Sequence, residues 1–208
     1  MPVDAPQYPV NLIVAGRPCL VVGAGSVALR KIEGLVACGA DVTVVAPAVD
    51  NAIRSLPVRV ETRPYARPEA GDYRLVIAAT DDAETNRMVF EDAEAAGVWV
   101  NSADEPASCT FTLPSVIRRG PILVTVSTGG HSPAMATWLR RRIEDDLGEE
   151  YVVLLGLLSE MRAAIKAEGR STEGLDWLSA LDSNMLELIR AGDVAQARER
   201  LQACLSSS

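Results

Sequence analysis

The chain has 208 residues, 48% hydrophobic and 23% charged, a composition typical of a globular protein with one sizeable core and an appended element. Its formal net charge of −8 argues against nucleic acid as a partner, because binding phosphates requires a basic face. No apolar run is long enough to cross a bilayer and no basic and apolar leader is present, so the sequence predicts a cytoplasmic protein without a membrane partner. The cysteines are scattered, which argues against a zinc knuckle or a disulfide scaffold.

The first half of the chain alternates strand patterns with helix patterns. The predicted strands are 10–14, 19–22, 42–46, 58–62, 75–79 and 98–100, and the predicted helices are 27–38 and 83–96. The run at 75–79 is continuously apolar, as expected for a strand that is buried on both faces. Strands and helices that alternate at this spacing predict an α/β fold with a Rossmann-like, doubly wound parallel sheet.

A glycine-rich turn, Gly23-Ala24-Gly25, links the second predicted strand to the first predicted helix. Gly23 permits a tight turn, and Gly25 lets the backbone approach a pyrophosphate at the start of the helix, where Ser26 and Val27 follow. Such a turn also occurs in proteins that bind no nucleotide. A strand, a helix and another strand in this order nevertheless favour nucleotide binding.

The end of the strand at 42–46 departs from the usual dinucleotide-binding pattern. An Asp or Glu there ordinarily binds the ribose 2′-hydroxyl, whereas this chain continues with Pro47 and Ala48. Either backbone groups near Pro47 and Ala48 hold the ribose, or the preference between NAD and NADP is relaxed. No arginine adjoins them to attract a 2′-phosphate, so NAD is the predicted cofactor.

Polar residues also follow the next two buried strands, at the sheet edge where open α/β folds bind ligands. Thr80 and Asp81 either line the cofactor cleft or belong to a loop in which Asp82 caps the next helix. Asp104 is either a proton acceptor or metal ligand at this edge, or a loop residue in an Asx turn, and its position alone favours the turn. Cys109 has no base near it in the sequence and is predicted to be structural.

Beyond residue 113 the pattern changes from alternating elements to helices. A strand at 122–126 is followed by predicted helices at 134–147, 151–166, 175–191 and 194–204. We therefore predict three parts, which are a nucleotide-binding domain (1–113), a connecting segment (114–148) and a small helical domain (149–208).

The connecting segment contains candidate anion-binding groups. Gly129 and Gly130 offer backbone N–H groups near a helix start, although a capped start with no ligand explains the same residues. His131 is the only histidine, which excludes a multi-histidine metal site. The pair Arg118-Arg119 and the run at 140–142 are either anion clamps or solvated ends of a turn and a helix.

Six ordered blocks connect these features: VVGAGSVALRK at 21–31, ADVTVVAP at 40–47, AATDDAETNR at 78–87, VNSAD at 100–104, FTLPSVIRRGP at 111–121 and VSTGGHSPAMA at 126–136. In this order the blocks resemble the precorrin-2 dehydrogenases of sirohaem synthesis. The resemblance covers about residues 8–147, and the ordered set is more specific than any single block.

The resemblance implies NAD-dependent oxidation of precorrin-2 to sirohydrochlorin by a homodimer that pairs through the connecting segment. Some members of the family also insert a metal, so Fe²⁺ or Co²⁺ is a further expected substrate. The resemblance makes Asp104 the catalytic general base and supports the cofactor contacts named above. Precorrin-2 carries many carboxylates, so the predicted substrate contacts are donors of the connecting segment: Arg118, Arg119, Thr128, Gly129, Gly130 and His131.

A nucleotide-sensing regulatory module without catalysis is the alternative interpretation. Such modules also carry a glycine turn and a strand that ends like Ala79-Thr80-Asp81-Asp82. They usually keep an acidic residue after the second strand, which is absent here, and they do not explain the block at 126–136.

Overall fold

The computed structural model describes residues 6–103, 105–181 and 184–206. The chain divides into two compact units: the first contains residues up to Leu113 together with Ser127–Pro133, and the second contains Pro114–Val126 and the chain from Ala134 onward. Within the described ranges, no helix is long and apolar enough to cross a membrane.

Five parallel strands form the sheet of the first unit, in the order β3-β2-β1-β4-β5. They are β1 (Pro18–Val22), β2 (Asp41–Ala46), β3 (Arg59–Thr62), β4 (Leu75–Ala78) and β5 (Trp99–Ser102). In the central register Val21 lies between Val44 and Ile77. This order, with a reversal between β1 and β4, confirms the predicted Rossmann-like doubly wound sheet.

Helices cover both faces of this sheet. Successive residues of a strand point to opposite faces, and almost all residues of β1, β2 and β4 are apolar, so both faces must be buried. On one face, α1 (Ser26–Ala37) and α2 (Asn51–Arg54) contribute Ala28, Ile32 and Ile53 to the core. On the other face, α3 (Ala83–Ala95) contributes Val89 and Ala93. Two loops of this unit contain short 3₁₀ turns, at Glu69–Asp72 and Pro106–Ser108.

The segment before β1 differs from the sequence-based expectation. Residues 10–14 were predicted as a strand but form none, and Val10 and Ile13 are 62% and 87% exposed. The apolar, β-branched pattern was present, but a strand also needs a hydrogen-bonded neighbour, and this segment pairs with no strand of the described sheet. A turn follows, in which the Arg17 N–H donates to the Val14 carbonyl at 2.9 Å.

The second unit combines an antiparallel hairpin with helices. The hairpin joins β6 (Ser115–Arg119) to β7 (Ile122–Val126). The helices are α4 (Pro133–Asp146), α5 (Glu150–Ala167), α6 (Trp177–Leu181), α7 (Met185–Arg190) and α8 (Val194–Ser206). The core of the last four helices is apolar throughout and includes Leu154, Leu157, Ile165, Ala180, Met185, Ile189, Ala197, Leu201 and Leu205.

The predicted helix at 175–191 was wrong as one continuous element, since α6 and α7 occupy its place. Asn184 has a φ of +65°, and a right-handed helix cannot continue through a residue in the left-handed region. Asparagine tolerates this conformation better than most residues, which makes it a suitable break between the two short helices.

Candidate functional site

The glycine turn after β1 lies at the carboxyl edge of the sheet, where the strand order reverses. Gly23 has a φ of +110°, and a Cβ there would lie 2.2 Å from the carbonyl oxygen of Ala79. The Gly23 N–H donates to the Val45 carbonyl at 2.9 Å. Close packing of the turn against the neighbouring strands therefore requires glycine at this position, whatever the ligand.

Gly25 is the N-cap of α1, and a Cβ at this position would project into open space. The first helical hydrogen bond is the one that the Leu29 N–H donates to the Gly25 carbonyl at 2.9 Å. Within the described chain, the N–H groups of Ser26, Val27 and Ala28 have no acceptor. An open, uncapped helix start with three free amides fits a pyrophosphate, because the amides and the helix dipole both favour an anion there.

The other predicted cofactor segments adjoin this turn. Pro47 and Ala48 are exposed and follow β2 at the same edge, and Thr80 and Asp81 follow β4. Since β2 and β4 flank β1 in a parallel sheet, their carboxyl ends place these residues on the two sides of the glycine turn. The structure thus brings together the three segments that the sequence singled out separately.

Thr80 is held in place by Asn86, a residue that the sequence analysis missed. The Asn86 Oδ1 accepts from the Thr80 N–H at 3.1 Å and from the Thr80 hydroxyl at 2.8 Å, and its Nδ2 donates to the Thr80 carbonyl at 3.0 Å. Asp82 caps α3 by accepting from the Glu84 and Thr85 N–H groups. Hydrogen bonds, first of all from the Thr85 hydroxyl, hold the pKa of Asp82 below its usual value.

Replacing Asn86 with alanine is expected to lower the free energy of unfolding by about 1–3 kcal/mol, because the Thr80 N–H at the sheet edge would lose its partner. Asn86 is only 8% exposed, so water does not readily replace the lost group. Urea unfolding measures the change. Asn51→Ala is the matched control, since the Asn51 side chain is exposed at the start of α2, and an equal loss in both variants would contradict this role for Asn86.

Asp104, the predicted catalytic residue, lies outside the described residues. Cys109 holds the chain on both sides of this position. Its sulfur accepts from the Ser102 N–H at 3.2 Å and lies 3.3 and 3.4 Å from the Ser102 and Glu105 carbonyl oxygens. Burial raises the pKa of the Cys109 thiol, so the thiol keeps the proton that it donates to these carbonyls. The contacts are consistent with the predicted structural role of Cys109.

The segment at 127–133 belongs to the same unit as the glycine turn. The Thr128 hydroxyl donates to the Ser132 carbonyl at 3.0 Å and accepts from the Ser132 N–H at 3.2 Å. Gly129 and Gly130 have φ values of +60° and +82°, and the Gly129 N–H already donates to the Ser127 hydroxyl. In the described chain the Gly130 N–H makes no hydrogen bond, and His131 is exposed. The available donors of this turn are therefore Gly130 and His131.

The predicted arginine contacts lie in the other unit. Arg118 is exposed on β6. Arg119 donates from Nε to the Leu147 carbonyl at 3.2 Å and lies 3.6 Å from a carboxylate oxygen of Glu144, which also pairs with Arg140. Arg119 and Arg140 thus have partners within their own unit, which the basic patches in the sequence did not reveal.

Two family models match the chain in succession. Residues 10–115 match a family described as "Putative NAD(P)-binding", and residues 119–146 match one described as "Sirohaem biosynthesis protein central". The chain belongs to this NAD(P)-binding family. The family confirms the resemblance found in the sequence, and the free amides at the start of α1 lie inside its NAD(P)-binding match.

Curated relatives and a solved structure agree with this assignment. The chain is 37% identical over 206 residues to a siroheme synthase of Nitrosococcus oceani, covering 96% of the chain and 44% of the relative. It is 41% identical over 206 residues to a siroheme synthase of Thioalkalivibrio sulfidiphilus, covering 96% and 42%. It therefore spans less than half the length of these relatives. The solved structure of SirC, a precorrin-2 dehydrogenase, matches with a TM-score of 0.69 at 26% identity, covering 95% of this chain and 98% of SirC.

Proposed function

We propose that this chain oxidises precorrin-2 to sirohydrochlorin with NAD as the acceptor. The observation that carries the proposal is the open glycine turn with three free amides at the sheet edge, in a chain that matches nearly the whole length of a precorrin-2 dehydrogenase structure. Similarity to siroheme synthases supports sirohaem biosynthesis as the setting of this reaction.

The cofactor contacts follow from the strand order. We assign the pyrophosphate to the turn of Gly23 and Gly25 and to the free amides of Ser26 and Val27 at the open start of α1. The adenosine ribose then lies on the β2 side at Pro47 and Ala48, and the nicotinamide lies on the β4 side, towards Thr80, Asp81 and β5. When bound there, NAD supplies the hydride acceptor for the oxidation.

The reaction removes a hydride and a proton from the substrate, so a proton acceptor is needed beside the nicotinamide. Asp104 is the residue proposed for this role, because it follows β5 in the chain, next to the β4 side of the edge. The carboxylates of precorrin-2 are assigned to donors of the connecting segment. In the turn at 127–133 the donors are the Gly130 N–H and the His131 side chain, while Thr128 and Gly129 hold the turn through their bonds to Ser132 and Ser127. Arg118 and Arg119 of β6 stay predictions from the sequence.

An anaerobic assay tests this function directly. Precorrin-2 is incubated with the purified chain, with and without NAD, and the absorbance of sirohydrochlorin is followed. We expect turnover that requires NAD. A folded, NAD-binding chain without turnover would contradict the proposal and favour the nucleotide-sensing module.

Insertion of Fe²⁺ or Co²⁺ into sirohydrochlorin is a second proposed step, with the metal as substrate. The macrocycle supplies the nitrogen ligands, so the protein needs only a proton acceptor, and Asp104 can serve both steps. Adding either metal to sirohydrochlorin and the protein, without NAD, separates this step from the oxidation. Metal insertion no faster than in the absence of protein would restrict the chain to the oxidation.

A homodimer in the cytoplasm is the proposed working form. The connecting segment includes α4, which exposes a row of large apolar side chains: Met135 at 53%, Trp138 at 54% and Ile143 at 37%. Met135 is three residues from Trp138 and eight from Ile143, so the three side chains lie along one broad face of the helix, and a patch of this kind is typical of an interface. These side chains support pairing of two copies through α4.

Replacing Trp138 with aspartate is expected to convert the dimer into a monomer, because a charged side chain at a closed interface would lose its hydration. Sedimentation measures the mass, which we expect to fall from twice the 22.2 kDa chain mass to that of one chain. Leu178→Asp is the control, since Leu178 is 74% exposed on α6, outside the connecting segment. A Trp138→Asp protein that remains dimeric would contradict pairing through this face.

A further inference from the structure

Lys31, in the second turn of α1, is a partly buried cation that has no partner among the described residues. The partly buried arginines Arg63, Arg119 and Arg140 each form an ion pair with a glutamate. Lys31 alone among the partly buried cations forms neither a hydrogen bond nor an ion pair with any described residue. Its neighbour Arg30 is exposed, so water can satisfy that charge but reaches Lys31 less freely.

The position of Lys31 directs it towards the ligand-binding edge. The neighbouring Ala28 and Ile32 are fully buried against the sheet, and α1 begins at the carboxyl edge. Helical side chains incline towards the start of their helix, so the long Lys31 stem extends back towards that edge. Ala103 and Phe111, which follow β5 on either side of Cys109, pack against the core cluster that contains Ala28 and Ile32, so α1 lies beside the end of β5. Lys31 is near enough to Cys109, whose sulfur is bonded to the Ser102 backbone, for the two side chains to influence one another. The ammonium group thus lies on the β5 side of the edge.

Among the residues that the structure describes, none supplies an anion to Lys31. Burial, followed by repulsion from Arg30, lowers the pKa of Lys31, and the Cys109 thiol nearby keeps its proton and supplies no negative charge. An unpaired cation in such a position is costly unless a ligand supplies the counter-ion. Two anions could reach the edge, a carboxylate of the substrate or a phosphate of the cofactor. The phosphates already have the amides at the start of α1, and β5 lies on the far side of β4 from that turn.

We infer that Lys31 binds a carboxylate of the tetrapyrrole substrate at the β5 side of the sheet edge. The inference rests on the proposed function and adds to it a substrate contact in the first unit, outside the connecting segment. An ammonium group paired with a carboxylate in a partly desolvated position contributes a charge-assisted hydrogen bond, which distinguishes an anionic tetrapyrrole from an apolar one.

Binding titrations of the full chain with sirohydrochlorin, the stable product, test this contact without turnover. Lys31→Met keeps the stem and removes the charge, and we expect it to weaken sirohydrochlorin binding by about 10- to 100-fold. Lys31→Arg keeps the charge and is expected to lose less. Arg30→Met, which removes an exposed charge one residue away, is expected to bind as tightly as the wild type. NAD affinity, measured in parallel, should be unchanged in all three variants.

Thermal melting shows that the Lys31→Met protein is folded, and its melting temperature should not fall because no protein partner is lost. Wild-type affinity of folded Lys31→Met for sirohydrochlorin would overturn the inference. A loss of NAD affinity instead would assign Lys31 to the cofactor phosphates and would overturn it as well. A wild-type chain that binds NAD but no sirohydrochlorin would contradict the proposed function itself, so the two failures are distinguishable.

Discussion

Replacing Gly23 with alanine is expected to lower the free energy of unfolding by roughly 3–5 kcal/mol and to abolish NAD binding. The new Cβ would lie 2.2 Å from the Ala79 carbonyl oxygen, and its φ of +110° is one that alanine rarely adopts. Both β1 and β4 are buried in the sheet, so neither backbone can move away without disturbing the core. Urea unfolding and NAD titration measure the two effects.

Two other glycines provide the controls for this prediction. Gly34→Ala adds the same methyl group in the middle of α1, where it meets nothing, and should leave stability unchanged or slightly raised. Gly25→Ala also meets no protein atom but fills the space that the pyrophosphate needs. It should reduce NAD affinity at a cost of at most about 1 kcal/mol in stability. A Gly23→Ala protein as stable as Gly34→Ala would contradict the packing argument.

Replacing Asp104 with asparagine is expected to reduce the turnover number for precorrin-2 oxidation by about 10²- to 10⁴-fold. Asparagine is close to aspartate in size but cannot accept a proton from the macrocycle. NAD binding should be unchanged, because the proposed cofactor contacts lie on β1, β2 and β4. Single-turnover kinetics under anaerobic conditions measure the loss separately from product release.

The neighbouring carboxylate provides the matched control for Asp104. Glu105→Gln removes the same charge one residue further along the loop, from an exposed side chain, and should turn over at close to the wild-type rate. An equal loss of turnover in the two variants would show that the negative charge of the loop as a whole, rather than Asp104 alone, supports the reaction. Full activity of Asp104→Asn would exclude Asp104 as the proton acceptor.

Local pattern was sufficient to predict the sheet and its glycine turn. The runs that became β1, β2 and β4 are apolar enough to be buried on both faces, and Gly23 stands directly after one of them. Prediction from the local pattern failed for segments that form a strand only if another strand pairs with them. Residues 10–14 look like a strand but have no pairing partner, and β6, which was not predicted, forms because β7 pairs with it.

Contacts within the site were harder to predict because they join residues that are distant in the sequence. The approach of Lys31 to Cys109 depends on how α1 packs beside the end of β5, which no spacing rule reports. The hydrogen bonds between Thr80 and Asn86 join residues only six positions apart. They were still hard to predict, because an asparagine in the first turn of a helix has several possible roles. The pairing of Arg119 with Glu144 likewise depends on the position of the hairpin beside α4, whereas Arg140 meets Glu144 one turn further along the same helix.

The central claim is that this chain transfers a hydride from precorrin-2 to NAD. The most direct measurement follows NADH and sirohydrochlorin together in one anaerobic reaction of the wild-type chain. We expect the two products to form in equal amounts and at the same rate. Sirohydrochlorin that forms without NADH, or at the same rate when NAD is omitted, would contradict it.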